Sequence, residues 1–238
     1  MTKPSPKKQV DSKMYFYENF AKHFDSVVNM YDTNKRVEVF FSELLYEDLI
    51  GRKLLDAGCG TGWFSVRAAE RGARVVSMDL GPNLLAEVEK KVNSQRVVGS
   101  VLDIPFGPNH FDIVVCSEVI EHIPNQYRSL EEFYRVLKPG GILILSTPNK
   151  LWYPALIFAR IFRLRPYGGM ENWSGFRKLQ ADLKECGFKI EIATGIHAFP
   201  FVFSWTERIL DLIHPHRKYI KSLMVNIAIR AIKDVKAS

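Results

Sequence analysis

Between residues 14 and 50 apolar side chains return every third or fourth position: Tyr17, Phe20, Phe24, Val27 and Val28, then Val37, Phe40, Phe41, Leu44 and Leu45. That is the helical period. After Gly51 the period changes. Lys53–Ala57 is a short apolar run ending at an acid and a glycine, and Trp63–Glu70 reads as helix. Arg74–Asp79 is strand-like, 82–92 helical and 96–101 strand-like. A bare apolar strand at 111–116, a helix at 127–137 and another bare strand at 142–146 follow. Most of these strands are apolar on both faces, as expected of a parallel sheet covered by helices on both sides.

Past Pro148 the order loosens. Residues 151–164 are apolar with Arg160 and Arg163 interspersed, followed by a Pro/Gly-rich turn. Residues 174–186 read as a helix capped by Ser174 at its start and Gly187 at its end. Residues 188–193 alternate like a strand, and 223–232 hold enough β-branched residues to close the sheet. Residues 1–13 supply nothing to bury and read as a disordered leader, leaving one domain over 14–238.

Composition sharpens this picture. At 47% hydrophobic and 25% charged, the chain can bury one good core. The densest apolar stretch is about half of what a bilayer-spanning helix needs. The first residues carry charge without an apolar core and do not read as a secretory signal. Cys59, Cys116 and Cys186 lie far apart and read as reduced thiols of a cytoplasmic protein. The net charge of +7 is uneven: residues 1–150 hold 19 Lys/Arg and 19 Asp/Glu, and residues 151–238 hold 14 and 7. Trp152, Trp173 and Trp205 also fall in that basic back part. It either meets something anionic and greasy or keeps a basic surface for solubility.

The informative segment is LLDAGCGTG, residues 54–62. Gly58, Gly60 and Gly62 let a backbone turn sharply and approach a ligand closely. Nineteen residues after Gly60, a strand ends at Asp79, and an acid there accepts hydrogen bonds from a ribose diol. Dinucleotide folds space their glycines G-x-G-x-x-G. Here the spacing is G-x-G-x-G after Asp56, whose carboxylate would repel phosphates and hold a cationic amine. A nicotinamide dehydrogenase is therefore disfavoured.

Together with Asp79, Asp103 in SVLDIPF, FDIVVCSEVIEHI and RVLKPGGILILSTPN, this segment resembles the class I S-adenosylmethionine-dependent methyltransferases over residues 50–150. The resemblance implies a Rossmann-like, doubly wound α/β sheet of seven strands, mostly parallel with the last antiparallel, under a helical N-terminal lid and a C-terminal cover. It implies that Asp56, Gly58 and Gly60 flank the methionine part, Asp79 and Leu80 hold the ribose, Asp103 and Ile104 meet the adenine, and Ser117 contributes from the end of a strand. EVIEHIPN with STPN is similar to the ubiquinone-biosynthesis O-methyltransferases and their methyltransferase type 11 relatives. In those enzymes an apolar, basic insertion corresponding to residues 151–165 contacts membrane. In some members a Glu, a second Glu three on and the next His are assigned to a divalent ion, a spacing that Glu118, Glu121 and His122 reproduce, so Mg²⁺ joins the expectations.

Methyl transfer from a sulfonium needs position, a dry site and, for a hydroxyl nucleophile, a base. His122 is the candidate base, because an unperturbed imidazole is poised near neutral pH. Its alternative is a packing position. Arg36 either pairs with the methionine carboxylate or is an exposed helix arginine. Tyr17, Phe20 and Phe24 form either a lid or core, and His197, Trp173 and Glu171 are acceptor-pocket candidates by position alone.

Nucleic-acid acceptors are argued against: the residues after the strand at 111–116 are Ser117, Glu118, Val119 and Ile120, not an Asn/Asp-Pro-Pro-aromatic box. The expected acceptor is a small lipophilic or membrane-associated molecule such as a prenylated phenol, taken on the cytoplasmic side, peripheral to an anionic membrane met by residues 151–165 and 204–213, whose apolar faces alternatively pack on the sheet or on a second subunit. The alternatives are a sugar, a soluble secondary metabolite, or a non-catalytic module that binds the cofactor.

Overall fold

Seven strands among the described residues form one sheet in the computed structural model, which describes residues 30–162, 170–198 and 220–234 with Glu18, Ala21 and Asp25. They are β1 (Lys53–Ala57), β2 (Arg74–Asp79), β3 (Gln95–Val98), β4 (Phe111–Ser117), β5 (Leu137–Pro148), β6 (Phe188–Gly195) and β7 (Asn226–Lys233). Their order is β3-β2-β1-β4-β5-β7-β6. The pairs among β1 to β5 are parallel, and β7 runs antiparallel between β5 and β6. This is the expected doubly wound sheet, with its last strand antiparallel.

Successive strand residues are buried on opposite faces. Leu54, Ile113, Val115 and Ile144 pack with Val39, Phe40, Leu44, Phe64 and Ala68 from the helical segment α1 (Met30–Val39), the π-helical turn Phe40–Leu44 and helix α2 (Trp63–Glu70). Leu55, Val114, Cys116 and Leu145 pack with Leu130, Phe133, Leu179 and Leu183 from α4 (Gln126–Val136) and α6 (Phe176–Glu185). Helix α3 (Pro82–Glu89) follows β2, and α5 (Tyr153–Ile161) follows β5. Because the chain leaves β1 toward β2 and later returns to β4 on its other side, a crevice opens at the carboxyl ends of β1 and β4, where open α/β sheets take ligands.

Several boundaries differ from the pattern. β5 starts at Leu137, so it includes the LKPGG segment. The helix expected from 174 begins at Phe176 with Gly175 as its N-cap, because the Ser174 hydroxyl donates to Gln126 Oε1 at 2.5 Å instead. Gly187, at φ +98°, ends it as the pattern requires. Residues 1–13, Tyr17, Phe20, Phe24, Val27, Val28 and 204–213 lie outside the described residues. No helix among the described residues is long and apolar enough to cross a membrane.

Candidate functional site

β1 ends at Ala57 and the chain turns through Gly58, Gly60 and Gly62, at φ +76°, +53° and +89°, into α2. A side chain in this left-handed region costs about 1–2 kcal/mol. Close approach adds a second reason at Gly58: a Cβ there would stand 2.4 Å from Val119 Cγ2, in the segment after β4. The turn is held by β2. Gly58 N and Cys59 N donate to Met78 O at 2.8 and 3.0 Å, and Gly60 N donates to Asp79 Oδ2 at 2.9 Å. Gly81 N donates to Asp79 Oδ1 at 2.9 Å. A carboxylate offers about four lone-pair directions, so acceptor capacity remains for a hydroxyl of a ligand. Burial raises the Asp79 pKa. Leu80, half-buried, follows at the same rim.

Asp56 is placed beneath the turn. Its Oδ2 accepts from the Ser65 hydroxyl of α2 at 2.6 Å, and Ser65 continues to Ser77 at 2.7 Å and Ser77 to Ser94 at 2.8 Å. Burial pushes the Asp56 carboxyl up to about 7; the Ser65 hydrogen bond opposes the rise and the Asp79 charge adds to it.

The loop after β3 carries Asp103, exposed, and Ile104, whose side chain is buried. Ile104 N donates to Glu132 Oε2 at 2.8 Å, a partner that no local pattern announces.

The carboxyl end of β4 gathers the remaining candidates. Arg36 is buried, not an exposed helix arginine: its Nη1 donates to Ser117 Oγ at 3.1 Å, and Nη2 pairs with Asp32 Oδ2 at 2.8 Å. Burial opposes the charge of Arg36, but Asp32 and Glu118 raise its pKa. Asp32 Oδ1 also lies 2.7 Å from His197 Nε2, which brings His197 to this group. Glu118 takes a left-handed conformation, φ +56°, unusual without glycine. It accepts from Ser146 Oγ and Asn226 Nδ2, both at 2.8 Å. Burial and the neighbouring Glu121 raise its carboxyl to about 7. Glu121 Oε2 accepts from Thr147 Oγ1 at 3.1 Å. His122 ends the short turn Ile120–His122, with Nδ1 2.9 Å from Met170 O and Nε2 3.7 Å from Glu121 Oε1. Trp173 packs edge-on to Tyr153, and Glu171 is half-buried nearby in sequence.

The metal expectation for Glu118, Glu121 and His122 is corrected. Among the described residues no group of three His, Cys, Asp or Glu is arranged to hold an ion. The left-handed residue and the tight turn spread the three donors over different partners, Ser146 and Asn226, Thr147, and Met170. Asp32, Ser146, Thr147, Asn226 and Glu132 were not among the sequence candidates. Ser146 and Thr147 belong to the quoted STPN stretch, which was their only signal.

The residues present fit a sulfonium nucleoside: a turn with no room for side chains, an acid with acceptor capacity left at the ribose position, and a polar wall from Arg36 and Ser117. Comparison with known proteins agrees. A methyltransferase-domain family model matches residues 55–145. A Pseudomonas fluorescens ubiquinone biosynthesis O-methyltransferase is 35% identical over 200 residues, covering 79% of this chain and 81% of that protein. A Mycolicibacterium smegmatis protein named as an S-adenosylmethionine-dependent methyltransferase is 30% identical over 164 residues, covering 68% of this chain; the match spans 61% of that relative's length. A Thermotoga maritima S-adenosylmethionine-dependent methyltransferase structure superposes with a TM-score of 0.69 at 17% identity, covering 93% of this chain and 100% of that one.

Proposed function

The chain belongs to the S-adenosylmethionine-dependent methyltransferases, and from that premise we propose that it methylates an oxygen of a small lipophilic acceptor, such as a prenylated phenol. The observation that carries this reading is the anchored imidazole of His122 in the segment after β4, the same segment whose Val119 stands against Gly58 of the glycine turn. When bound, S-adenosylmethionine supplies an activated methyl group. Asp79 would hold ribose hydroxyls, Asp103 would meet the adenine amino group, and Arg36 with Ser117 would bound the methionine end. A carbonyl oxygen only accepts, so His122 Nδ1 carries a proton toward Met170 O, and Nε2 of the neutral ring holds the lone pair that can take a hydroxyl proton. Glu121 stands where it favours the imidazolium that results. Trp173 Nε1 and Asn226 Oδ1 are buried without a partner among the described residues, a donor and an acceptor that suit a polar acceptor molecule.

The relatives named for ubiquinone biosynthesis O-methylation support oxygen as the accepting atom. α5 and the residue after it support a lipophilic acceptor taken at an anionic membrane surface: Ile157, Phe158, Ile161 and Phe162 are all about half exposed or more, and Arg163 and Arg165 follow in sequence. Incubation of lipid and aqueous extracts with the enzyme and methyl-labelled cofactor, read by mass spectrometry, tests the acceptor. A gain of about fourteen daltons on a phenolic lipid is expected, by replacement of a hydroxyl proton with methyl. Label confined to sugars or soluble metabolites would overturn the acceptor class. Sedimentation with vesicles tests the surface: recovery in the pellet should need anionic lipid, fall with salt, and drop when Ile157, Phe158 and Ile161 become Ser.

A further inference from the structure

The loop after β3 is tied from behind by two side chains of α4. Glu132, 1% exposed, accepts from Ile104 N at 2.8 Å. Arg135 donates from Nη2 to Ile104 O at 2.9 Å and from Nη1 to Phe106 O at 2.7 Å. The two side chains are joined twice, Nε to Oε1 at 2.9 Å and Nη2 to Oε2 at 2.7 Å, and Arg128 Nη2 adds a third donor to Glu132 at 2.9 Å. The loop's other amides are also engaged within the protein. Leu102 N donates to Ser100 Oγ, Asp103 N to Ser100 O and Phe106 N to Ile104 O, and Pro105 has no amide hydrogen. From 102 to 106 the backbone donors are therefore spoken for, and Ile104 is anchored through its buried side chain as well. What this rigid loop turns outward is the exposed carboxylate of Asp103. An ionised carboxylate only accepts hydrogen bonds, so it matches a purine presenting an amino group and opposes one presenting an oxo group.

We infer that Glu132 and Arg135 are positioning residues that fix the 102–106 loop so that Asp103 selects a 6-amino purine over a 6-oxo purine, an inference that rests on the methyltransferase reading above. Glu132, 1% exposed, acts through the loop backbone, while the Arg135 charge also stands near enough to Asp103 to attract its carboxylate directly. An oxo group in place of the amino group would set acceptor against acceptor at Asp103, so the 6-oxo analogue should bind more weakly.

Calorimetric titration with S-adenosylhomocysteine and its deaminated 6-oxo analogue tests this on the whole chain. The wild type should prefer the amino form by about tenfold or more. Glu132→Ala and Arg135→Met should narrow that ratio to within about threefold. Glu132→Gln, which keeps an acceptor for Ile104 N, should retain more of the preference than Glu132→Ala. A purely structural role would lower the melting temperature and leave the ratio unchanged, and an unchanged ratio in both variants would overturn the inference. Equal wild-type binding of both ligands would overturn it as well, leaving the methyltransferase reading intact. If the wild type binds neither ligand, the methyltransferase reading fails first. Arg135→Lys supplies the same ratio if Glu132→Ala does not fold.

Discussion

Nδ1 of His122 lies 2.9 Å from the main-chain oxygen of Met170, and this contact sets which ring nitrogen can act as a base. With Nδ1–H directed at a carbonyl, the neutral ring keeps its lone pair on Nε2. Replacing His122 by Ala should lower turnover about 10²–10⁴-fold and leave affinity for S-adenosylhomocysteine within about twofold. Steady-state rates beside a binding titration check both halves. Full activity in the variant would remove His122 from proton transfer.

Asp79 joins the glycine turn to the start of α3 through Gly60 N and Gly81 N and keeps acceptor capacity for a ribose. Hydrogen bonds to an ionised group contribute about 1.5–3 kcal/mol. Asp79→Ala should therefore weaken cofactor binding by about ten- to a hundredfold. Unchanged affinity by calorimetry would displace the ribose from Asp79.

Gly58 and Val119 form a steric pair. Alanine at 58 must take φ +76° and place its Cβ against the Val119 side chain. The two effects together should destabilise the fold by about 2–4 kcal/mol. Val119→Ala added to Gly58→Ala should recover about 1 kcal/mol, because the contact is shared while the backbone strain is not. Denaturant unfolding of the two single variants and the double variant measures this coupling. Strict additivity would mean that the turn shifts away from Val119.

Asp56 supplies a pH dependence. Its carboxyl is raised from 3.8 to about 7 in the folded chain, so the folded state binds this proton more tightly than the unfolded state. Its contribution to stability is complete below pH 3.8, fades as pH rises toward about 7, and is level above that. Asp56→Asn does not titrate. Relative to it, the wild type should lose stability across that window, by on the order of 4 kcal/mol at most. Parallel stability curves for the two proteins would show that folding leaves the Asp56 carboxyl unshifted.

The sheet was legible because its strands are buried on both faces, which leaves apolar runs such as Ile113–Cys116 within β4. The glycine turn and Asp79 were legible because their contact spans one strand–helix–strand unit of fixed length. The pairs Glu132–Ile104, Asp32–His197 and Glu118–Asn226 were not, because each joins elements whose approach depends on the completed sheet. Ser174 misled for a related reason: its capping preference is local, and Gln126 from α4 takes its hydroxyl. The Glu118, Glu121 and His122 spacing suggests neighbouring donors only on a regular helix, and the left-handed Glu118 breaks that regularity.

One titration tests the cofactor assignment most directly: S-adenosylhomocysteine and NAD⁺ injected separately into the wild-type chain, with Asp79→Ala as the companion. S-adenosylhomocysteine should bind at one site per chain, NAD⁺ should give no saturable heat, and the variant should lose about ten- to a hundredfold in affinity. Saturable NAD⁺ binding that displaces S-adenosylhomocysteine, or no binding of S-adenosylhomocysteine at all, would contradict a methyl-donor site at Gly58, Gly60 and Asp79.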